Sequence, residues 1–203
     1  MDVSTLSAEQ RRNRNFAETH RQLIERAVEL IVKNGADKLS VASLARDAGM
    51  NRSTVYYHFD SREALIDAVK AWIGDKISKL LIGQDDPALR LERTVEFVMT
   101  YADVVHLWIS DILFAGGVRE GLPFWDGLVH SMGSKQAMIT QKSGLANVPE
   151  PDAEVWSAIY LSAAMMGPRL YKTSLRPNET PAQVAARFRS SYDWLLHMLD
   201  APR

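Results

Sequence analysis

Residues Val41 to Phe59 read VASLARDAGMNRSTVYYHF, two short apolar-patterned pieces joined at a glycine. Ser40 can cap the first piece, with Leu39 and Leu44 at the N′ and N4 positions of a hydrophobic staple. Gly49 then offers a helix stop, so that helix is brief. Asn51 supplies a second cap, with Met50 and Val55 in the same staple relation. A helix-turn-helix needs these residue types. Ala45 is small where the two helices touch, Gly49 is free to take positive φ at the turn, and Leu44, Ala48, Met50 and Val55 wedge the pair together. The second helix must then turn polar groups toward base edges along its N-terminal half. Arg52, Ser53 and Thr54 stand there, followed by Tyr56, Tyr57 and His58.

The competing account is a helical hairpin inside an ordinary bundle, because short helices with glycine turns are common. Two features favour DNA. Tyr56, Tyr57 and His58 put three large polar-aromatic side chains on a very short helix, where a core takes leucine. Arg62, just past its end, can set a cation at a phosphate beside the N–H groups of the next helix, which Ser61 caps.

Working outward, the stripe Leu23, Ala27, Leu30 and Ile31 marks a helix that Gly35 ends. Arg11, Arg12 and Arg14 precede it, and Ser7 to Gln10 has capping-box spacing. Residues 1–14 are therefore open to three readings: an arm into the minor groove, a backward extension of the helix, or a disordered solvated segment. Past Ser61 a long run from Arg62 reaches about Ile82. Further helical runs are expected at 88–104, 105–115, 123–143, 152–173 and 181–200, separated by Gly-, Pro- or Asn-rich connections. Pro168 lies inside the fourth of these and is expected to kink or end it. No segment sustains the period-two alternation of a strand. The expected fold is all-α: a three-helix N-terminal helix-turn-helix head, then a helical-bundle body, about nine helices in all with four smaller ones first. The head takes 1–60 and the body 61–203, with 62–82 as connecting helix.

Composition narrows the function. Hydrophobic residues make up 46% and charged residues 24%, ordinary for a globular chain and too apolar for a disordered one. The absence of cysteine removes disulfides, thiolate zinc sites and cysteine nucleophiles together. Met1 to Gln10 has no apolar core of a signal peptide, and the most apolar stretch, Val155 to Gly167, is too short to span a bilayer. A cytoplasmic protein with no membrane partner is expected. The net charge of −1 conceals a gradient, because residues 11–57 hold nine Lys/Arg against five Asp/Glu. No zinc motif, P-loop or Gly-x-Ser-x-Gly elbow occurs, so an enzyme is not expected. Asp103 and His106 share a helical face, a spacing more often a hydrogen bond than a metal site, so neither metal nor cofactor is expected.

Ala45 and Gly49, the run STVYYHF from Ser53 to Phe59, SREAL from Ser61 to Leu65, and the preceding Asn34-Gly35 together resemble the N-terminal domain of the TetR (tetracycline repressor) family of transcriptional regulators. The resemblance covers residues 20 to about 75; the rest matches only in helix count and length. It implies a recognition helix carrying Arg52, Ser53, Thr54, Tyr56, Tyr57 and His58. Arg52 and Ser53 are then the base readers, arginine's fork favouring guanine O6 and N7. Tyr56 reaches a base or thymine methyl, and Thr54, Tyr57, Arg62, Ser40 and Ser43 fit phosphate contacts. Ala42 departs from members that carry a base-reading arginine there, so that contact is absent. For Phe59, packing against Leu65 is the expected role.

The resemblance further implies a small-molecule effector in the body that moves the heads apart and releases DNA. Leu91, Val95, Val98, Ala102 and Val105 form one core stripe, and Phe97, Tyr101, Val104 and Trp108 a second, more aromatic one. A second apolar face fits either a cavity wall or a centrally buried helix. Effector candidates are Phe97, Tyr101 and Trp108, with Trp125, Tyr160 and Met165 added for their size and position. The last two helices are the candidate dimer face: Trp156 and Ala163 in one, Val184, Phe188, Tyr192, Leu195 and Leu199 in the other. Two such helices per subunit would make a four-helix bundle; the competing account has them covering only the monomer core. The expectation is a homodimeric repressor on a near-palindromic double-stranded DNA operator, released by a small apolar or aromatic effector. The alternatives are an activator, or a small-molecule-binding protein whose head is secondary.

Overall fold

A computed structural model describes residues 8–82, 86–114, 122–143 and 152–200. Among the described residues there are nine α-helices and no strand. The chain forms two compact units that divide within one helix, the first ending at Ile73 and the second beginning at Gly74.

In the first unit α1 spans Ala8–Asn34, a 3-10 turn Ala36–Lys38, α2 Val41–Ala48, α3 Arg52–His58, and α4 starts at Arg62. The first helix is not small. It runs back to Ala8, so of the readings for residues 1–14 the described part, 8–14, is helical extension. Exposed pairs line it: Arg21 bridges Glu18 at 2.7 Å and Glu25 at 2.8 Å, contacts that solvent screens. Its core face is Leu23, Ala27, Val28 and Ile31, with Leu30 only half-buried. Local chemistry sets the boundaries that follow. Ser40 and Ser43 close a reciprocal capping box at α2, whose staple residues Leu39 and Leu44 are buried. At the other end Gly49 takes φ +64°, and the Met50 N–H donates to the Ala45 carbonyl at 2.9 Å, which completes a Schellman stop. Asn51 stands at the start of α3 but its side chain makes no cap bond, contrary to expectation. Ser61 does cap α4, accepting the Ala64 N–H at 3.0 Å.

The helix α4 (Arg62–Ile82) continues into the second unit, which adds α5 (Pro87–Thr100), α6 (Ala102–Phe114), α7 (Trp125–Ser143), α8 (Ala153–Ser174) and α9 (Pro181–Asp200). Asp86 and Asp152 cap α5 and α8. The break between α5 and α6 falls at Tyr101, earlier than the sequence pattern suggests. Pro168 neither ends α8 nor sits on its surface: the helix runs on to Ser174 with Pro168 buried. Trp108 comes within 3.2 Å of where a Cβ would stand at residue 74, so any side chain there would press on the indole. Along α5 lies α9, closing a core of Val95, Val184 and Ala185 flanked by Leu91, Met99, Tyr171 and Phe188. An Arg189–Glu92 bridge of 2.7 Å ties the same two helices. Among the described residues no helix is long and apolar enough to cross a membrane.

Candidate nucleic-acid interface

The seven residues of α3 have a single inward anchor, Val55, which is fully buried. Arg52, Ser53, Thr54, Tyr56 and Tyr57 are all exposed. A helix with one fully buried residue, a half-buried histidine at its end and five exposed residues is poorly explained as bundle packing. It is well suited to lie in a groove.

The remaining predicted contacts are differently placed. The Ser43 hydroxyl accepts the Ser40 N–H at 2.8 Å, and its own hydrogen has the carbonyls of Lys38 at 3.1 Å and Ser40 at 3.0 Å as acceptors. Ser40 Oγ in turn accepts the Ser43 N–H at 3.0 Å. Both hydroxyls serve the α2 cap, because a serine N-cap satisfies an otherwise orphaned backbone donor. Arg62 is exposed but folds back onto the backbone. Its Nε donates to the Leu39 carbonyl at 2.8 Å and Nη2 to the Ala36 carbonyl at 3.0 Å, so it braces the turn before α2 against the start of α4.

His58 is half-buried rather than displayed. Its ring stacks on Phe16 at 4.4 Å and lies 5.6 Å from His20, which stacks on buried Phe59 at 4.6 Å. Tyr57 meets Phe16 edge-on at 5.4 Å yet stays 70% exposed. This ladder joins α1 to α3. Sequence reading missed Phe16 and His20; their spacing of four on one helical face was the available signal.

Nδ1 of both histidines is buried without a hydrogen-bond partner among the described residues. Burial first, and the facing His20 ring second, hold His58 below histidine's ordinary 6.5. The fold thus keeps His58 neutral while the unfolded chain takes up the proton, so head stability falls as pH drops below about 6.5. The titratable groups facing His58 in this ladder are His20 and Tyr57. Thermal unfolding should show α1–α3 melting earlier at about pH 5.5 than at about pH 7.5, and His58→Phe should flatten that dependence. An equal slope in the variant would show that the proton goes elsewhere.

In the second unit the predicted effector residues fall in distinct surroundings. Phe97 and Tyr101 pair at 4.8 Å. Trp108 is buried, stacked near Phe124 at 6.2 Å, with buried Trp125 next in sequence. Tyr160 lies where burial raises its hydroxyl pKa and the nearby Arg90 guanidinium pulls it down. Met165 is buried in α8. Asp103 lies 4.0 Å from Arg169.

The predicted dimer residues divide. Val184 is a core residue of its own chain, fully buried with Val95 and Ala185, and Phe188 and Tyr192 are half-buried, Phe188 against Tyr171 at 5.8 Å. That stripe is inward because α5 already covers it. The Leu195 and Leu199 side chains lie outside the described residues. Trp156 and Ala163 are exposed on α8, alongside Val155, Ile159, Met166 and Leu170.

Comparison with known proteins gives one family. The model for bacterial regulatory proteins of the tetR family matches residues 23–69. Over 119 residues, 56% of this chain, it is 30% identical to the HTH-type transcriptional regulator SrpR of Pseudomonas putida, about half of whose length (52%) is spanned. At 30% identity over 119 residues it also spans 82% of the uncharacterized HTH-type transcriptional regulator TtgW, likewise of Pseudomonas putida. A TetR-family transcriptional regulator from Pectobacterium atrosepticum has the same fold, with a TM-score of 0.58 at 19% identity, covering 93% of this chain and 98% of that one.

Proposed function

This chain belongs to the TetR family of transcriptional regulators, and on that premise we propose that it is a homodimeric repressor whose two copies of α3 read successive major grooves of a near-palindromic operator. The observation that carries the reading is α3 itself, with Val55 buried and Arg52, Ser53, Thr54, Tyr56 and Tyr57 exposed. Arg52 and Ser53, at its N-terminal end, read bases, Tyr56 a base or methyl group, and Thr54 and Tyr57 hold phosphates. Ser40, Ser43 and Arg62 stand at the start of α2 and of α4, where their hydrogen bonds hold the α2 cap and the turn before it, and from there they complete the phosphate contacts.

The ligand side of the proposal is a small apolar or aromatic effector received in the second unit among the aromatic residues named above, Phe97, Tyr101, Trp108, Trp125 and Tyr160, with Met165. Its binding energy must differ between the DNA-bound and released states to shift them. The helix α4 runs from one unit into the other and is the covalent route for that coupling. The dimer face is the outer side of α8.

Selection of genomic fragments on the purified protein at about 150 mM salt, followed by footprinting, tests the reading: one near-palindromic site is expected. A folded dimer that enriches no fragment would overturn it in favour of a ligand binder with a secondary head. On that site Arg52→Ala should cost about 1–3 kcal/mol and relax preference at one position per half-site. An unchanged base profile would remove Arg52 from the readers.

A further inference from the structure

The N-terminal half of α1 packs against α3 through Phe16 and His20, and the aromatic ladder gives its direction. Passing along α1 toward its N-terminus, the partners on α3 and its end change in order. His20 stacks on Phe59 and reaches His58, then Phe16 stacks on His58 and meets Tyr57. Phe59 is 3% exposed and Tyr57 70% exposed, with half-buried His58 between them. Each step toward the N-terminus of α1 is therefore a step from the core out to the surface that α3 displays.

Residues four apart on a helix share a face, and one turn advances about 5–6 Å along the axis. Arg12 is one turn beyond Phe16 on the ladder face. Arg14, two residues from Phe16, points to the opposite side. Both are exposed. An arginine side chain adds several ångströms of reach and a fork matched to phosphate. Arg12 is off the recognition helix, one turn beyond the residue that meets Tyr57, so the sugar–phosphate backbone, not a base edge, is what meets it.

We propose that the helical extension at 8–15 is a second DNA-contacting element, in which Arg12, aimed by the Phe16–Tyr57 contact, pairs with a phosphate flanking the base pairs read by α3. This rests on the operator reading above and adds to it a contact outside the helix-turn-helix. It also replaces a flexible minor-groove arm with a rigid one, positioned by Phe16 and so costing little ordering entropy on binding.

The test compares Arg12→Gln with Arg14→Gln in the full chain, two variants that remove the same charge two residues apart. Operator affinity is measured by fluorescence anisotropy across a salt series. Arg12→Gln should weaken binding about tenfold near 150 mM salt, equally on the operator and on its base-substituted variants, and lower the salt slope by about one. Arg14→Gln should stay within about twofold. Equal losses in the two variants would mean a diffuse basic field, and no loss in either would mean a solvated extension; each overturns the proposal. So would a loss confined to one base sequence, which would make Arg12 a base reader. Arg52→Ala in the same series separates the two levels. If it changes binding and Arg12→Gln does not, only the α1 contact falls. If the wild-type protein binds no DNA, the regulator reading falls and takes the contact with it.

Discussion

Charging the outer face of α8 should split the protein into monomers and abolish tight operator binding. The expected result of Ile159→Glu combined with Met166→Glu is a single monomeric species in sedimentation at micromolar protein, with helicity unchanged. The reason is the arrangement of Val155, Ile159, Met166 and Leu170, all exposed and spaced at four and seven along one side of the helix, with exposed Trp156 three residues before Ile159. Side chains of this kind contribute about 1.5–3 kcal/mol each when fully covered, and a contiguous patch of them marks a surface made for a partner. Trp194 of α9 is exposed as well. Because residues 159 and 166 are exposed in the monomer, their replacement leaves the core intact, so loss of dimer is not confused with loss of fold. Operator affinity should fall by about a hundredfold or more, since the second half-site no longer benefits from tethering to the first. A variant that remains dimeric would move the interface elsewhere.

Phe59→Ala should be the most destabilising single change in the first unit, at about 3–5 kcal/mol. Phe59 ends α3, is buried, and stacks on His20, so its loss opens a cavity where α1 holds α3. That is a large part of what a domain of this size has in reserve, about 5–10 kcal/mol. Hydrogen exchange should show protection lost in α1–α3 and kept in α5 and α9. The neighbouring Tyr57→Phe, which removes only an exposed hydroxyl, should leave protection unchanged. If Phe59→Ala unfolds no earlier than wild type, the ladder is not what fastens α3.

Features closed within a few residues were readable from the chain. The Ser40 cap and its staple, the Gly49 stop and the Ser61 cap all match, because a cap bonds a backbone group three or four residues away and needs no distant partner. Periodicity likewise located α5 to α9, since an apolar stripe records that some face is covered. Asn51 is the local exception: the right residue at the right position leaves its side chain unused.

What the chain could not reveal is which neighbour covers a face. The stripe Val184, Phe188 and Tyr192 looks the same whether it meets a second subunit or α5 of its own chain, and only packing shows that α5 has it. The apolar surface left over belongs to α8, where a mix of small and large residues obscured its extent. Arg62 and His58 illustrate the same limit. Residue type gave a cation able to meet phosphate and a polar ring able to meet a base, but carbonyls 23 and 26 positions away claim the first, and a phenylalanine from the helix start holds the second. Local order is set by bonds that reach three or four residues and is written in the sequence. The direction each side chain finally faces depends on partners far along the chain, and so is decided by the tertiary fold.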